Sequence, residues 1–494
     1  MLVNNRWKWM AGLLLVVGYF VWLHSSFYFA DPDAFYHARL SALMVDYGPI
    51  LNFNWLPFTG LADYYTDHHF WFHVLLLPFT AMLPAWLALK VFSVLISVLF
   101  FVFFYTFLIS QKIKSAWFFT LVLIVNYPFV FRLSLGKTLP LVLVFLLLGV
   151  YFFQQRYKLG VFVMSWLTVW LYGGWPLFVL FLVSYAVVAS IKNKDKILNF
   201  PWLQVVGGVM VGLVVNPYFP NNLKFYWQQV WHIALVNYQD KIGVGAEWFP
   251  YKLDVLTSDL GLAGLVFLAV LVGVIYFIER MSATAAWLWL WLFIFLALTL
   301  KSQRYIEYFV PFLVWWSALA WRDIDGDAII AKVWRRLKAA RPLQAASVVC
   351  LFLLIALFFW RSAIRIKQEF KQGFAIDSFQ AAAQFLAKKT KAGEIVFHSD
   401  WGIFPMLWYY NQSNRYIVGL DPTFLYNKDK RRYYQWAYIT SGRVKQVTKI
   451  VNNSFQSRYV LIDRRQSAML DNFQRAGWQI IYQDQYAAIL TNSQ

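Results

Sequence analysis

The chain of 494 residues is 60% hydrophobic and 21% aromatic, with only 14% charged residues. A water-soluble globule of that balance would lack the polar residues to cover its surface, so the composition points to a polytopic membrane protein. The net charge of +20 is then assigned to cytoplasmic loops and lipid headgroups rather than to nucleic acid, and a lone cysteine, Cys350, excludes disulfides and cysteine-built metal sites.

Taken in chain order, apolar runs long enough to span lie at about 10–29, 86–109, 116–131, 139–154, 159–173, 175–191, 202–217, 258–278, 283–300, 306–321 and 344–361, about eleven in all. The first follows Arg6 and Lys8 and has no small-residue cleavage site before Asp31, so it reads as a retained span. Basic clusters alternate along the spans: Arg6/Lys8, Lys112/Lys114, Arg156/Lys158, Lys192/Lys194/Lys196, Arg280 and the run Lys332–Arg341. That pattern predicts a cytoplasmic N-terminus and places everything after Arg361 outside. Residues 1–363 form the expected membrane domain, with a long first external loop over 30–85, and residues 364–494 a separate external domain. In the latter, the amphipathic stretch "DSFQAAAQFLAKKTKAG" and the β-type runs "EIVFHSDWG", "RYIVGL", "SRYVLIDR" and "WQIIYQDQYAAILT" alternate as in a small α/β domain.

This layout gathers the unusual acids and nearly all seven histidines on one side of the membrane. Asp31 and Asp33 stand at the outer lip of the first span. Two carboxylates two residues apart can share a divalent cation, or one can bind metal while the other orients an acceptor. The plainer alternative is that Asp33 caps the helix "AFYHARLSALM". Further along the same loop, Asp63, Asp67, His68, His69 and His73 crowd one stretch. Carboxylate plus imidazole suits Mn²⁺, Zn²⁺ or Fe²⁺ better than Mg²⁺, whereas the alternative is an interfacial helix anchored by rings. The reading is function for Asp67 and His68, and packing for His73. In the second external turn, Arg132 and Lys137 can meet a lipid diphosphate. "LGKT" there lacks the upstream glycine of a phosphate loop. "GLDPTFLYNKDKRRYYQW" reads either as an acceptor contact or as a solvated helix start.

The stretch "DPDAFYHARL" resembles the first acidic motif of oligosaccharyltransferase catalytic subunits and, more broadly, of the C-class (GT-C) membrane glycosyltransferases, whose donors are polyprenyl-phosphate sugars. The plan of many spans, a long first external loop and a C-terminal external α/β domain is similar too. Glu247 in "VGAEWFPYKL" resembles the loop glutamate that helps bind metal and the acceptor amide, and Arg304 in "KSQRYIEYFVPF" the arginine near the catalytic centre. Asp400-Trp401-Gly402 resembles the second half of the Trp-Trp-Asp-Tyr-Gly motif, with His398 and Ser399 in place of the two tryptophans. In "FRLSLGKTLPLVLV", Arg132 and Gly136 match the family pattern, but Leu139 and Leu141 occupy its second acidic pair. The first-loop cluster also lies where protein O-mannosyltransferases and aminoarabinose transferases carry motifs near their catalytic centres.

The resemblance implies a glycosyltransferase that moves a sugar or glycan from a polyprenyl-linked donor to an external protein, lipid or polysaccharide acceptor. Catalysis would fall to Asp33, Asp31 and Glu247. A divalent cation, Mn²⁺ or Mg²⁺, would be held by Asp33, Glu247, Asp67 and His68. Arg304, Arg132, Lys137, Asp400, Trp401 and His37 would bind donor or acceptor. The alternatives are transfer of a single sugar from a polyprenyl phosphate to a hydroxyl, and a non-catalytic glycan-assembly membrane protein. A transporter would carry its ionisable residues near the membrane midplane rather than at one face.

Overall fold

The computed structural model describes residues 6–236, 238–337 and 341–492, so the predicted basic run Lys332–Arg341 lies partly outside the described residues. The chain forms two compact units. One comprises Met1–Ser26, Val91–Gly212 and Ala246–Gln372, the other Phe27–Lys90, Leu213–Gly245 and Gly373–Gln494.

The first unit is a helical bundle, and each predicted apolar run falls on a helix. Among the described residues, five helices are long and apolar enough to cross a membrane: Ala85–Ser110, Trp175–Asn193, Leu253–Tyr276, Ala283–Lys301 and Pro342–Gln372. The single span expected over 116–131 is instead a bent pair, Ala116–Ile124 and Tyr127–Leu133, turning by 77°. The cause is local. The Asn126 side chain accepts the Phe129 N–H at 3.2 Å, and Pro128 in the first turn suits a new helix start. Arg132 is carried on the short second helix.

At the centre stands Ile306–Asp323, buried at every residue from Ile306 to Ala320. It packs against Ala283–Lys301, Leu253–Tyr276 and Ala116–Ile124. A helix apolar all round is an interior post, and here Trp315 and Trp316 fill the core. Close helix approach is bought with glycine in Trp202–Val214. A Cβ at Gly212 would lie 2.8 Å from Val169 Cβ and 2.9 Å from the Trp166 carbonyl oxygen, and Gly208 faces the same neighbour one turn earlier.

The second unit carries the α/β part. Strands β1 (Tyr28–Phe29) and β2 (Phe374–Ala375) pair antiparallel. A five-stranded sheet is built from β3 (Ile395–His398), β4 (Arg415–Tyr416), β5 (Tyr459–Asp463), β6 (Gln479–Gln483) and β7 (Ala487–Thr491), in the order β4-β3-β5-β7-β6. β3 runs parallel to β4 and β5, whereas β7 runs antiparallel to β5 and β6. Each of the predicted β-type runs supplies one or two of these strands. β5 and β7 are almost wholly buried, as continuous apolar runs require. Edge strand β6 is largely exposed and bulged between Ile480 and Tyr482. Flanking helices bury one face: Val447, Val451 and Phe455 in Val447–Phe455, and Met469 and Phe473 in Ser467–Arg475.

Candidate active site

The sequence-predicted residues fall into two groups, one in each unit. In the helical unit, Arg132, Glu247 and Arg304 come together although they are far apart in sequence. Glu247 sits on the one-turn 3-10 helix Ala246–Trp248. Its Oε2 accepts from Arg132 Nη1 at 2.5 Å and its Oε1 from Arg304 Nη1 at 2.8 Å, so each carboxylate oxygen faces a different guanidinium. The loop is strapped to the turn that bears Arg304. Ser302 Oγ donates to the Glu247 carbonyl at 2.9 Å, and the Gln303 N–H to the Phe249 carbonyl at 2.9 Å.

A fourth member was quoted in the sequence but not singled out. Glu307 Oε2 accepts from Arg132 Nη2 at 2.6 Å and from Arg132 Nε at 3.0 Å. Its i, i+3 spacing from Arg304 was the one available signal; the two approach to 4.0 Å. Burial alone would raise the Glu247 carboxyl, but Arg304, Arg132 and Lys137 outweigh it and hold the group well below the usual carboxylate range. Lys137 thus joins the cluster electrostatically. Leu139 and Leu141, in the family's acidic positions, are buried in the first turn of Leu139–Gln154.

In the second unit, Asp33 opens the helix Asp33–Tyr47. Asp31, not Asp33, does the capping: its Oδ1 accepts the Asp33 N–H at 2.9 Å. One turn on from Asp33 and on the same helix face, His37 is buried and its Nδ1 lies 2.8 Å from His73 Nε2. His73 Nδ1 in turn lies 2.7 Å from Asp67 Oδ2. Asp67 Oδ1 accepts the His69 N–H at 3.0 Å.

Asp67, His73 and His37 therefore form one buried hydrogen-bonded chain, with helix Phe70–Thr80 bringing His73 against Asp33–Tyr47. The two histidines differ in their surroundings. The fully buried His73 engages Asp67, while half-buried His68 stacks near His69 and Phe225. His73→Ala is expected to lower stability by about 2–4 kcal/mol, because it leaves the Asp67 carboxylate buried without its imidazole. His68→Ala should cost less than about 1 kcal/mol. Thermal unfolding of the two variants in detergent measures this, and a larger loss for His68→Ala would show that the Asp67–His73 contact does not carry the stability assigned to it.

The Asp400 motif follows β3. His398, the last residue of β3, and Ser399 just after it stand in place of tryptophans and are buried. His398 Nδ1 is 2.8 Å from the Asp400 carbonyl and its Nε2 accepts the Val418 N–H at 3.3 Å. Burial pulls this imidazole down from 6.5 to about 4, so it is neutral. Asp400 caps the turn Trp401–Ile403 through a 2.7 Å bond from the Gly402 N–H, and burial raises its carboxyl. Trp401 Nε1 donates to the Gly243 carbonyl at 3.0 Å.

Among the described residues, no three His, Cys, Asp or Glu side chains gather as a metal site. Both Glu247 oxygens face cations and both Asp67 oxygens accept hydrogen bonds. Glu247 and Asp67, two of the four residues expected to hold Mn²⁺ or Mg²⁺ with Asp33 and His68, therefore do not fit the ion in this arrangement.

No protein-family model and no curated protein matches the sequence. Solved structures do. The archaeal oligosaccharyltransferase AglB from Archaeoglobus fulgidus, in complex with an inhibitory peptide and a dolichol-phosphate, superposes with a TM-score of 0.65 at 13% identity, over 94% of this chain and 71% of that one. ArnT from Cupriavidus metallidurans, bound to undecaprenyl phosphate, gives 0.59 at 14% identity over 99% and 98%. The arabinofuranosyltransferase AftD from Mycobacteria gives 0.55 at 14% identity over 99% and 40%. The chain has the GT-C glycosyltransferase fold. At these identities the likeness is one of fold, and the residues above carry the rest of the reading.

Proposed function

We propose that the protein is a membrane glycosyltransferase that transfers a sugar or glycan from a polyprenyl-phosphate-linked donor to an acceptor on the external side of the membrane. The observation that carries this reading is the clustering of Arg132, Arg304 and Lys137 around Glu247 in a chain of GT-C fold. A site rich in guanidinium groups suits a phosphate leaving group, whose developing charge it offsets. Asp33 accepts the acceptor's proton as general base, with Asp31 holding its helix start. Asp400, Trp401 and His37 serve acceptor or donor binding.

A second reading has its own support. ArnT matches nearly end to end, over 99% of this chain and 98% of its own, whereas AglB extends well beyond this chain. That likeness to a protein bound to undecaprenyl phosphate supports, as the second reading, transfer of a single sugar from a polyprenyl phosphate to a lipid, polysaccharide or protein hydroxyl. A mass-spectrometric comparison of glycans on proteins, lipids and polysaccharides, with and without the gene, tests both readings. Loss of one class of conjugate is expected, and an unchanged profile would remove the proposal.

The topology proposed with this function is about eleven transmembrane helices within residues 1–363, a cytoplasmic N-terminus, and an external α/β domain over 364–494. The alternation of Lys/Arg clusters supports it. Ser413 is exposed, and so is the single native cysteine, Cys350. Ser413→Cys in a Cys350→Ala background is therefore expected to react with an impermeant maleimide added to intact cells. Labelling only after the cytoplasmic side is opened would invert the topology.

A further inference from the structure

We infer that Glu247 is the resident counter-ion of an anion site formed by Arg132 and Arg304, and that the donor's phosphate binds by taking the place of its carboxylate. The inference rests on the donor class proposed above and departs from the metal-ligand role that the sequence resemblance implies for Glu247.

The geometry separates the two carboxylates of the cluster. Glu307 is fixed: it lies inside the central helix, 4% exposed, and takes both Nε and Nη2 of Arg132 on one oxygen. Glu247 is exchangeable. Its side chain is 22% exposed and spans the two guanidinium groups with one oxygen each. Its backbone is held by the Ser302 and Gln303 bonds, so only the side chain has to turn.

When it turns outward, Arg132 keeps Glu307 and offers Nη1, while Arg304 offers Nη1 with its guanidinium 5.0 Å from the Trp248 ring centre. Two guanidinium donors converging on one point match two phosphate oxygens better than two carboxylate oxygens, because phosphate carries more charge and more acceptors. A divalent cation at Glu247 would instead sit beside two guanidinium groups and be repelled by both.

The test is binding of undecaprenyl phosphate to the purified full-length protein in detergent with EDTA, followed by calorimetry. Glu247→Gln keeps the side chain's shape and removes the competing charge, and is expected to bind about tenfold tighter than wild type. Glu247→Asp, too short to bridge both arginines, should bind with intermediate affinity, and it serves if the glutamine variant does not fold. Glu307→Gln should not bind tighter, since that carboxylate is not the one displaced. Wild type that binds while Glu247→Gln binds equally or more weakly would overturn the inference and leave the donor class standing. So would wild-type binding that requires Mn²⁺ and is lost in Glu247→Gln. Wild type that binds neither undecaprenyl nor dolichyl phosphate would remove the donor class itself, and the inference with it.

Discussion

Replacing Asp33 with alanine is expected to lower transfer by about 10²–10⁴-fold, the range for loss of a general base, while leaving the protein folded and in the membrane. The reason both halves are expected lies in the helix start. The cap on Asp33–Tyr47 is the Asp31 carboxylate accepting the Asp33 N–H, a bond that uses the backbone of residue 33 and not its side chain. The helix is then held by Phe35, Tyr36, His37 and Ala38, all buried, against Phe70–Thr80 and Phe404–Tyr410.

Asp33→Ala keeps the backbone N–H that the Asp31 carboxylate caps. Asp31→Ala is the contrasting change. It removes the cap, at about 1 kcal/mol, and should lower protein yield along with activity. Conjugate formation in cells, normalised to membrane-inserted protein, separates the two. Near-normal activity in Asp33→Ala would leave the proposed chemistry without its base.

The fold was largely legible in the sequence because its two strongest signals are long-range in composition but local in pattern. Apolar runs marked the helices, and alternating or continuous β-type runs marked β3 to β7. Where the structure adds to the pattern, a short polar detail is the cause. Asn126 and Pro128 broke one expected span into a bent pair, and an apolar average across 116–131 cannot register a cap. The site was legible as a set of residues but not as a set of partners. Arg132, Glu247 and Arg304 were each singled out for separate reasons, and nothing in their spacing says that they pair.

His73 shows the same limit. The sequence reads it as a ring that anchors an interfacial helix, whereas its partners, Asp67 and His37, depend on how two helices cross. The missing second acidic pair has a related explanation. Leu139 and Leu141 pack inside their helix, and the acid beside Arg132 comes from Glu307 on the central helix. A charge can be supplied from another element once the fold brings it there.

That substitution of one element's acid for another's makes Arg132 the residue whose loss should be felt most widely. Its guanidinium reaches Glu247 through Nη1, and Glu307 through both Nε and Nη2. Arg132→Ala leaves Glu307 as a buried carboxylate whose other cation, Arg304, approaches only to 4.0 Å. Breaking one side of a buried pair costs about 3–5 kcal/mol, so the variant should unfold at a markedly lower temperature.

The double variant Arg132→Ala/Glu307→Gln removes the stranded charge and should regain most of that stability, because the penalty comes from the uncompensated carboxylate rather than from lost packing. It should not regain donor binding, since the phosphate still lacks one of its two guanidinium groups. Thermal unfolding and undecaprenyl phosphate affinity, measured on wild type, both single variants and the double, form a complete cycle. Stability restored without binding is the expected result. Binding restored together with stability would make Arg132 a structural brace and leave Arg304 and Lys137 to hold the phosphate alone.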